Sequence, residues 1–312
     1  MVGAGMALAT GCESLRSSRL STARPVVDTH MHVWAKYPSR YPFPHPYSKE
    51  FAGPPHEATT EMLLDDMDRN GCTHAILVQC IYHGWDNTYV ADALEYAPDR
   101  LRAHGLVDPT DPKVADKLEY WVKDRGLHGM RFSPIYYADG SHGGDAWLDA
   151  PETHALWERA EKYDAVFNFF IAPGQLPRLG AMAQAHPSVR VLVDHVGNCN
   201  VGADDPGEEF RRLTDLARMS NVWVKVSELT AASKTKTYPF EDTWPWVKRV
   251  YEAFGPDRLL WGTGYPGAAR AGYLRPTLAD EIDLIRSRIP FFSDEDQEKI
   301  LGRNAVALWG LA

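Results

Sequence analysis

At 312 residues the chain is long for one ordinary domain, yet it falls within what a single α/β barrel with loop insertions uses. A formal charge of −9 and a pI near 5.7 argue against a nucleic-acid or anionic-membrane surface, which would select an excess of Lys and Arg. A small molecule is the expected partner.

Residues 1–11 (MVGAGMALATG) are small and apolar, and Leu8-Ala9-Thr10-Gly11-Cys12 resembles a degenerate bacterial lipoprotein cleavage box that lacks a cationic start. Residues 1–24 therefore have two readings: a disordered tail, or the remnant of an export signal with lipid anchoring at Cys12. Localisation stays open between the bacterial cytoplasm and an exported, anchored form. Cys72, Cys80 and Cys199 make no CxxC pair with each other or with Cys12, and they read as buried thiols. No segment approaches the ~18 consecutive apolar residues of a membrane span.

The ordered domain is expected over residues 25–312. Its first strand, Val26-Val27-Asp28-Thr29-His30-Met31-His32-Val33-Trp34, carries two histidines one residue apart. Strand residues i and i+2 share a face, so both imidazoles can address one point with metal-ligand spacing. The prolines at 38, 42, 44, 46, 54 and 55 exclude helix and disfavour strand, which predicts a long loop arching over a barrel mouth.

From there the pattern alternates. Helices are predicted over residues 59–70, 87–96, 113–124, 152–162, 176–185, 208–219, 244–254 and 277–288. Strands are predicted over residues 73–80, 101–107, 127–132, 165–171, 189–194, 222–226 and 259–261, with a Gly- and Tyr-rich loop at 133–150. Eight alternating units with short apolar strands indicate a (β/α)8 TIM-like barrel in a single domain. An open doubly wound sheet is the alternative, but no Gly-rich phosphate fingerprint follows the first strand.

Six segments, VDTHMHVW, LHGMRF, HPSVRVLVDHVGN, VWVKVSE, DRLLWGTGYP and SDEDQEKILGRNAVALWG, together resemble the amidohydrolase-related family, in its lactonase and 2-pyrone-4,6-dicarboxylate hydrolase branch. The resemblance implies a distorted barrel with His30, His32 and His195 gathered at its carboxyl face. It also implies hydrolysis of a lactone or similar cyclic ester of a sugar acid or aromatic catabolite. Zinc is the default metal and manganese the alternative, while a metal-free mechanism stays open. Two other functions remain, a decarboxylase-type lyase of the same superfamily and a ligand-binding barrel without turnover.

The chain departs from the family pattern at two places. Where the family's strand-eight motif carries a water-activating Asp, this chain has Gly264, within Trp261-Gly262-Thr263-Gly264-Tyr265-Pro266. On strand five, where many metal-binding relatives place a histidine, it has Asn168-Phe169-Phe170. The candidate replacement base is Glu228, just past strand seven, with a capping or exposed carboxylate as the other reading; Asp108 is second. Arg131 is either a carboxylate clamp for substrate or a structural ion pair, with Tyr136 and Tyr137 following it. Arg270 and Arg275 are weaker candidates, His83, His128 and His142 remain unassigned, and a homo-oligomer is compatible with all of this.

Overall fold

The computed structural model describes residues 24–200 and 207–311; the tail and Cys12 lie outside the described residues. Eight strands, β1 (Val27–Met31), β2 (His74–Val78), β3 (Leu101–Leu106), β4 (Gly129–Phe132), β5 (Val166–Phe169), β6 (Val191–Val193), β7 (Val222–Val226) and β8 (Leu259–Trp261), form one sheet in sequence order. Each strand pairs with the next in parallel. Helices follow the strands and cover the outside, so the strands can be apolar on both faces. The expected TIM-like barrel is therefore present. Among the described residues no helix is long and apolar enough to cross a membrane.

Closure between β8 and β1 is where the barrel is distorted. Among the described residues the backbone link there is a single bridge, Met31 with Gly264, in which the His32 N–H donates to the Gly264 carbonyl at 2.7 Å. Side chains join the rest of the seam. The Thr29 hydroxyl donates to the Trp261 carbonyl at 2.6 Å, and Asp28 accepts from the Thr263 N–H at 3.1 Å and from the Thr263 hydroxyl. Gly262 permits this approach, because a Cβ there would lie 2.7 Å from the His30 Cβ and 2.8 Å from its nitrogen.

Inside the barrel the period of two residues sets the layers. Val27, Ile76, Val166, Leu192 and Leu260 make an apolar floor, closed from below by Leu308 and Trp309 of the last helical segment, residues 294–309, which the element pattern had not placed. Two residues further along β5, β6, β7 and β8 come Asn168, Asp194, Lys225 and Gly262, so a polar layer lies directly above the apolar one. On β1, Val27 belongs to the floor and His30 to the polar layer, an odd offset that a regular strand cannot give. A register irregularity between Asp28 and Met31 absorbs the difference and re-aims the histidine inward.

Several element boundaries shift by a few residues, as in the strands His74–Val78, Gly129–Phe132, Val166–Phe169 and Val191–Val193. Asn87 takes the position just before its helix (Thr88–Tyr96) without capping it through its side chain, because its amide is spent on β3: Nδ2 donates to the Leu106 carbonyl at 2.8 Å and Oδ1 accepts from its N–H at 2.7 Å. The loop over residues 35–55 reaches across the carboxyl ends of β2 and β4, with Phe51 stacked on Tyr82 at 4.9 Å and Tyr47 against Tyr136 at 5.2 Å. Cys72, Cys80 and Cys199 are buried free thiols, as expected.

Because Gly262 faces the β1 backbone and not a flexible side chain, Gly262→Ala is expected to cost roughly 1–3 kcal/mol of stability, the range for overpacking. Denaturant unfolding measures this, and an unchanged midpoint would mean the seam is looser than the contacts indicate.

Candidate active site

His30, His32 and His195 converge at the carboxyl face. The His30 ring centroid lies 4.9 Å from that of His32 and 4.6 Å from that of His195. Each imidazole has its Nδ1 engaged: His30 with Asp194 Oδ1 at 3.2 Å, His32 with the Val78 carbonyl at 2.6 Å, His195 with Ser227 Oγ at 2.8 Å. With Nδ1–H donating to a carboxylate or carbonyl, the Nε2 lone pair is left outward, the arrangement that orients a histidine toward a metal. On His30 that Nε2 is fully buried and has no hydrogen-bond partner.

The backbone around His195 is unusual. His195, Val196, Gly197 and Asn198 all have positive φ, between 51° and 67°, directly after β6. For a β-branched residue such as Val196 this is a costly conformation, and such strain concentrates at functional sites. Glu228, after β7, is also left-handed at φ 58°.

Beneath the histidines sits a cluster with no exposed member. Asp194 accepts from Asn168 Nδ2 at 2.6 Å and lies 3.2 Å from Lys225 Nζ, and Lys225 also donates to Asn168 Oδ1. Burial opposes ionisation of Asp194, but Lys225 and His30 outweigh it and hold the carboxyl well below its ordinary range. Burial pushes His32 and His195 each down to about 3, and it holds His30 well below its ordinary value against the pull of Asp194. The imidazoles are thus neutral lone-pair donors at physiological pH.

A cavity of about 260 Å³ opens above them, with His32, His195, Arg131, Glu228 and Arg275 in its wall and Trp34, Tyr82, Tyr136, Phe170 and Tyr265 as its aromatic sides. Two roomier hollows, of about 440 and 480 Å³, lie elsewhere: one is near the barrel floor around Trp309, the other lies between outer helices. Neither contains the convergent groups seen here.

The expected site residues divide accordingly. Arg131 lines the cavity, while its Nε lies 3.5 Å from Asp194 Oδ2 and its guanidinium covers the Phe170 ring at 4.9 Å. Tyr136 lines the cavity, whereas Tyr137 is buried behind it and receives the Tyr47 hydroxyl at 2.9 Å, so it supports the loop. Asp108 is folded into its own turn, accepting from the Thr110 N–H and hydroxyl at 2.9 and 2.7 Å. Arg270 is buried and structural, donating to the Thr263 hydroxyl and to the carbonyls of Tyr265 and Pro276, while Arg275 faces the cavity. His83 ties the long loop down through the Pro42 carbonyl at 2.9 Å, and His128 lies toward the barrel floor. Lys225 and the partner role of Asp194 escaped the sequence reading. The available signal was a lone lysine two residues beyond Trp223 on an otherwise apolar strand.

The family model described as Amidohydrolase matches residues 27–311. The chain belongs to the amidohydrolase family. It is similar to a 4-sulfomuconolactone hydrolase of Rhizobium radiobacter, 30% identical over 95% of this chain and 94% of that one. It is also similar to an L-fucono-1,5-lactonase of Burkholderia ambifaria, 26% identical over 79% and 82%. In fold it resembles an amidohydrolase from Burkholderia multivorans with bound zinc, at TM-score 0.73 and 20% identity over 92% of this chain and all of that one.

Within this family member the ligand atoms of His30, Asp194 and His195 lie within 4.8 Å of one another, a set that could hold a metal ion. Asp194 also engages Asn168, Lys225 and His30, so besides offering a ligand atom it is the carboxylate that orients His30.

Two consequences concern the buried charges. Replacing Lys225 by Met leaves the Asp194 carboxylate without its cation, which is expected to cost roughly 3–5 kcal/mol in denaturant unfolding. Glu281 lies 3.5 Å from Arg270, yet burial pushes its carboxyl from an ordinary 4.5 up to about 8. Between those values the folded chain holds a proton that the unfolded chain has lost, so stability falls as pH rises. Glu281→Gln is expected to flatten that fall between about pH 7 and 8, above the ordinary histidine range; equal slopes in thermal melts would show Glu281 ionised in the fold.

Proposed function

We propose that this amidohydrolase opens a flat, anionic lactone, with Glu228 as the base that activates water. The supporting observation is the geometry at the family's missing Asp. A Cβ built on Gly264 would lie 3.1 Å from Glu228 Oε1, so the carboxylate of Glu228 occupies the space that a side chain at position 264 would enter. Glu228 lines the cavity, and burial raises its pKa against the opposing pull of Arg275, which suits a group that must accept a proton near neutrality.

Water attacks the lactone carbonyl as Glu228 takes its proton. The ring C–O bond then breaks, and Glu228 returns the proton to the departing oxygen, giving a ring-opened hydroxy acid or, from an enol lactone, an enol that tautomerises to the keto acid. Arg131 and Arg275 supply cationic hydrogen-bond donors for an acidic substituent. Five aromatic side chains form the walls, which favours a planar unsaturated ring over a sugar lactone whose every hydroxyl needs a partner.

The donor set fits a divalent metal, zinc before manganese: His30 through its buried, unpartnered Nε2 and His195 would hold it together with Asp194, the three whose ligand atoms lie within 4.8 Å of one another, with His32 in the cavity wall beside them. Bound there, it would act as a Lewis acid toward the carbonyl.

Glu228→Gln is expected to lower kcat on such a lactone by about a hundredfold or more, followed as proton release; full retention would place the base elsewhere. Gly264→Asp is expected to bring no gain, because position 264 has φ 120°, where an L-residue is strained, and its new side chain would crowd Glu228. Elemental analysis of protein purified without chelator should find near-stoichiometric transition metal. Its absence with activity intact would favour metal-free hydrolysis.

A further inference from the structure

The base is not free in this structure. Arg275 Nη1 grips Glu228 Oε2 in a close ion pair at the cavity wall, with the Arg275 guanidinium over the Tyr265 ring at 5.4 Å. Burial raises the proton affinity of Glu228 and the Arg275 guanidinium opposes that rise, so the pair leaves the carboxylate a poorer proton acceptor than it would be alone at the same depth. Among the described residues two arginines line the cavity, Arg275 and Arg131, and Arg131 is already placed against Asp194 and Phe170.

We propose that Arg275 and Glu228 form a clasp that an anionic substrate opens: the substrate's carboxylate or sulfonate takes Arg275, and Glu228 is released to act as the base. This rests on the reading of Glu228 as base, and it makes the acidic substituent a requirement for turnover as well as for binding. A neutral ring could enter, but it would find the base held.

The surroundings allow the exchange. The pair is partly exposed, Arg275 by 18% and Glu228 by 15%, so an incoming anion can reach it. The groups that act on Glu228 are Arg275 and Arg270 after β8, Arg131 on β4, Glu281 on the helix Leu278–Asp283, and Tyr265. Arg270 is fixed by the Thr263 hydroxyl and two carbonyls, so it cannot take over from Arg275. Once unclasped, Glu228 loses the charge that opposed the effect of burial, so its affinity for a proton rises and it becomes a better acceptor.

Two measurements test the clasp. In the first, muconolactone and its neutral methyl ester are compared in wild type, Arg275→Lys and Arg275→Gln. Esterification should lower wild-type kcat by about tenfold or more in addition to raising KM, Arg275→Lys should keep that gap, and Arg275→Gln should close it to within about twofold. An ester that differs in KM alone, or a gap that persists in Arg275→Gln, overturns the proposal. In the second, glutarate is titrated calorimetrically at pH 6 in two buffers of different ionisation enthalpy. Wild type should take up protons as glutarate binds, and Glu228→Gln none. No glutarate binding, no uptake in wild type, or equal uptake in Glu228→Gln overturns it. If Glu228→Gln hydrolyses muconolactone at the wild-type rate, the base assignment fails, while the proton count still decides whether anions open the pair.

Discussion

An ionised carboxylate in an apolar interior needs partners that replace its lost hydration, and Asp194 is fully buried inside a ring of eight strands. Lys225 supplies the charge, Asn168 a hydrogen bond, and His30 the remaining donor, so four strands each give one side chain to a single buried cluster. The ligand-facing chemistry rests on it. An ionised Asp194 favours the His30 tautomer with its proton on Nδ1 and a lone pair turned outward, while Lys225 Nζ also approaches that Nδ1 at 3.3 Å. Without Asp194 the tautomer would be free to invert.

The same cluster accounts for what the sequence reveals and what it hides. His30 and His32 are legible because the signal is local: two histidines in one strand, a spacing that carries its own geometry. His195 is legible because it ends an apolar strand next to an acid. Lys225 is not, since a lysine between valines reads as the solvent side of an amphipathic strand; it becomes interior only when the sheet closes. Tyr136 and Tyr137 are adjacent in sequence and equivalent in composition, yet one turn sends the first into the cavity and the second behind it. Arg270 and Arg275 likewise differ only in which neighbours the loop after β8 brings them, three fixed acceptors for one and Glu228 for the other.

Length and alternation disclosed the barrel, because parallel strands covered by helices must repeat strand and helix. They did not disclose the seam. The β1–β8 junction depends on a glycine that admits the neighbouring backbone, and on Asp28 and Thr29 reaching across 235 and 232 residues of sequence. Nothing in a local pattern announces such partners. The register irregularity on β1 is hidden in the same way, although it decides that His30 faces inward.

The absence of Asp at position 264 and the presence of Glu228 are one geometric choice. A residue with a side chain at 264 would carry the strain of φ 120° and place its Cβ against the Glu228 carboxylate, so both acids cannot occupy the same space. A glutamate reaching in from the neighbouring strand has one more methylene than an aspartate and starts from a left-handed backbone, which together bring its oxygen over Gly264. That longer route also brings the carboxylate within reach of the loop after β8. There a mostly buried anion requires a cation, and Arg275 provides it. On the proposed reading of Glu228 as base, moving the acid from β8 to β7 carries its own consequence: the base gains a partner at the cavity wall, with which an anion entering the cavity would compete.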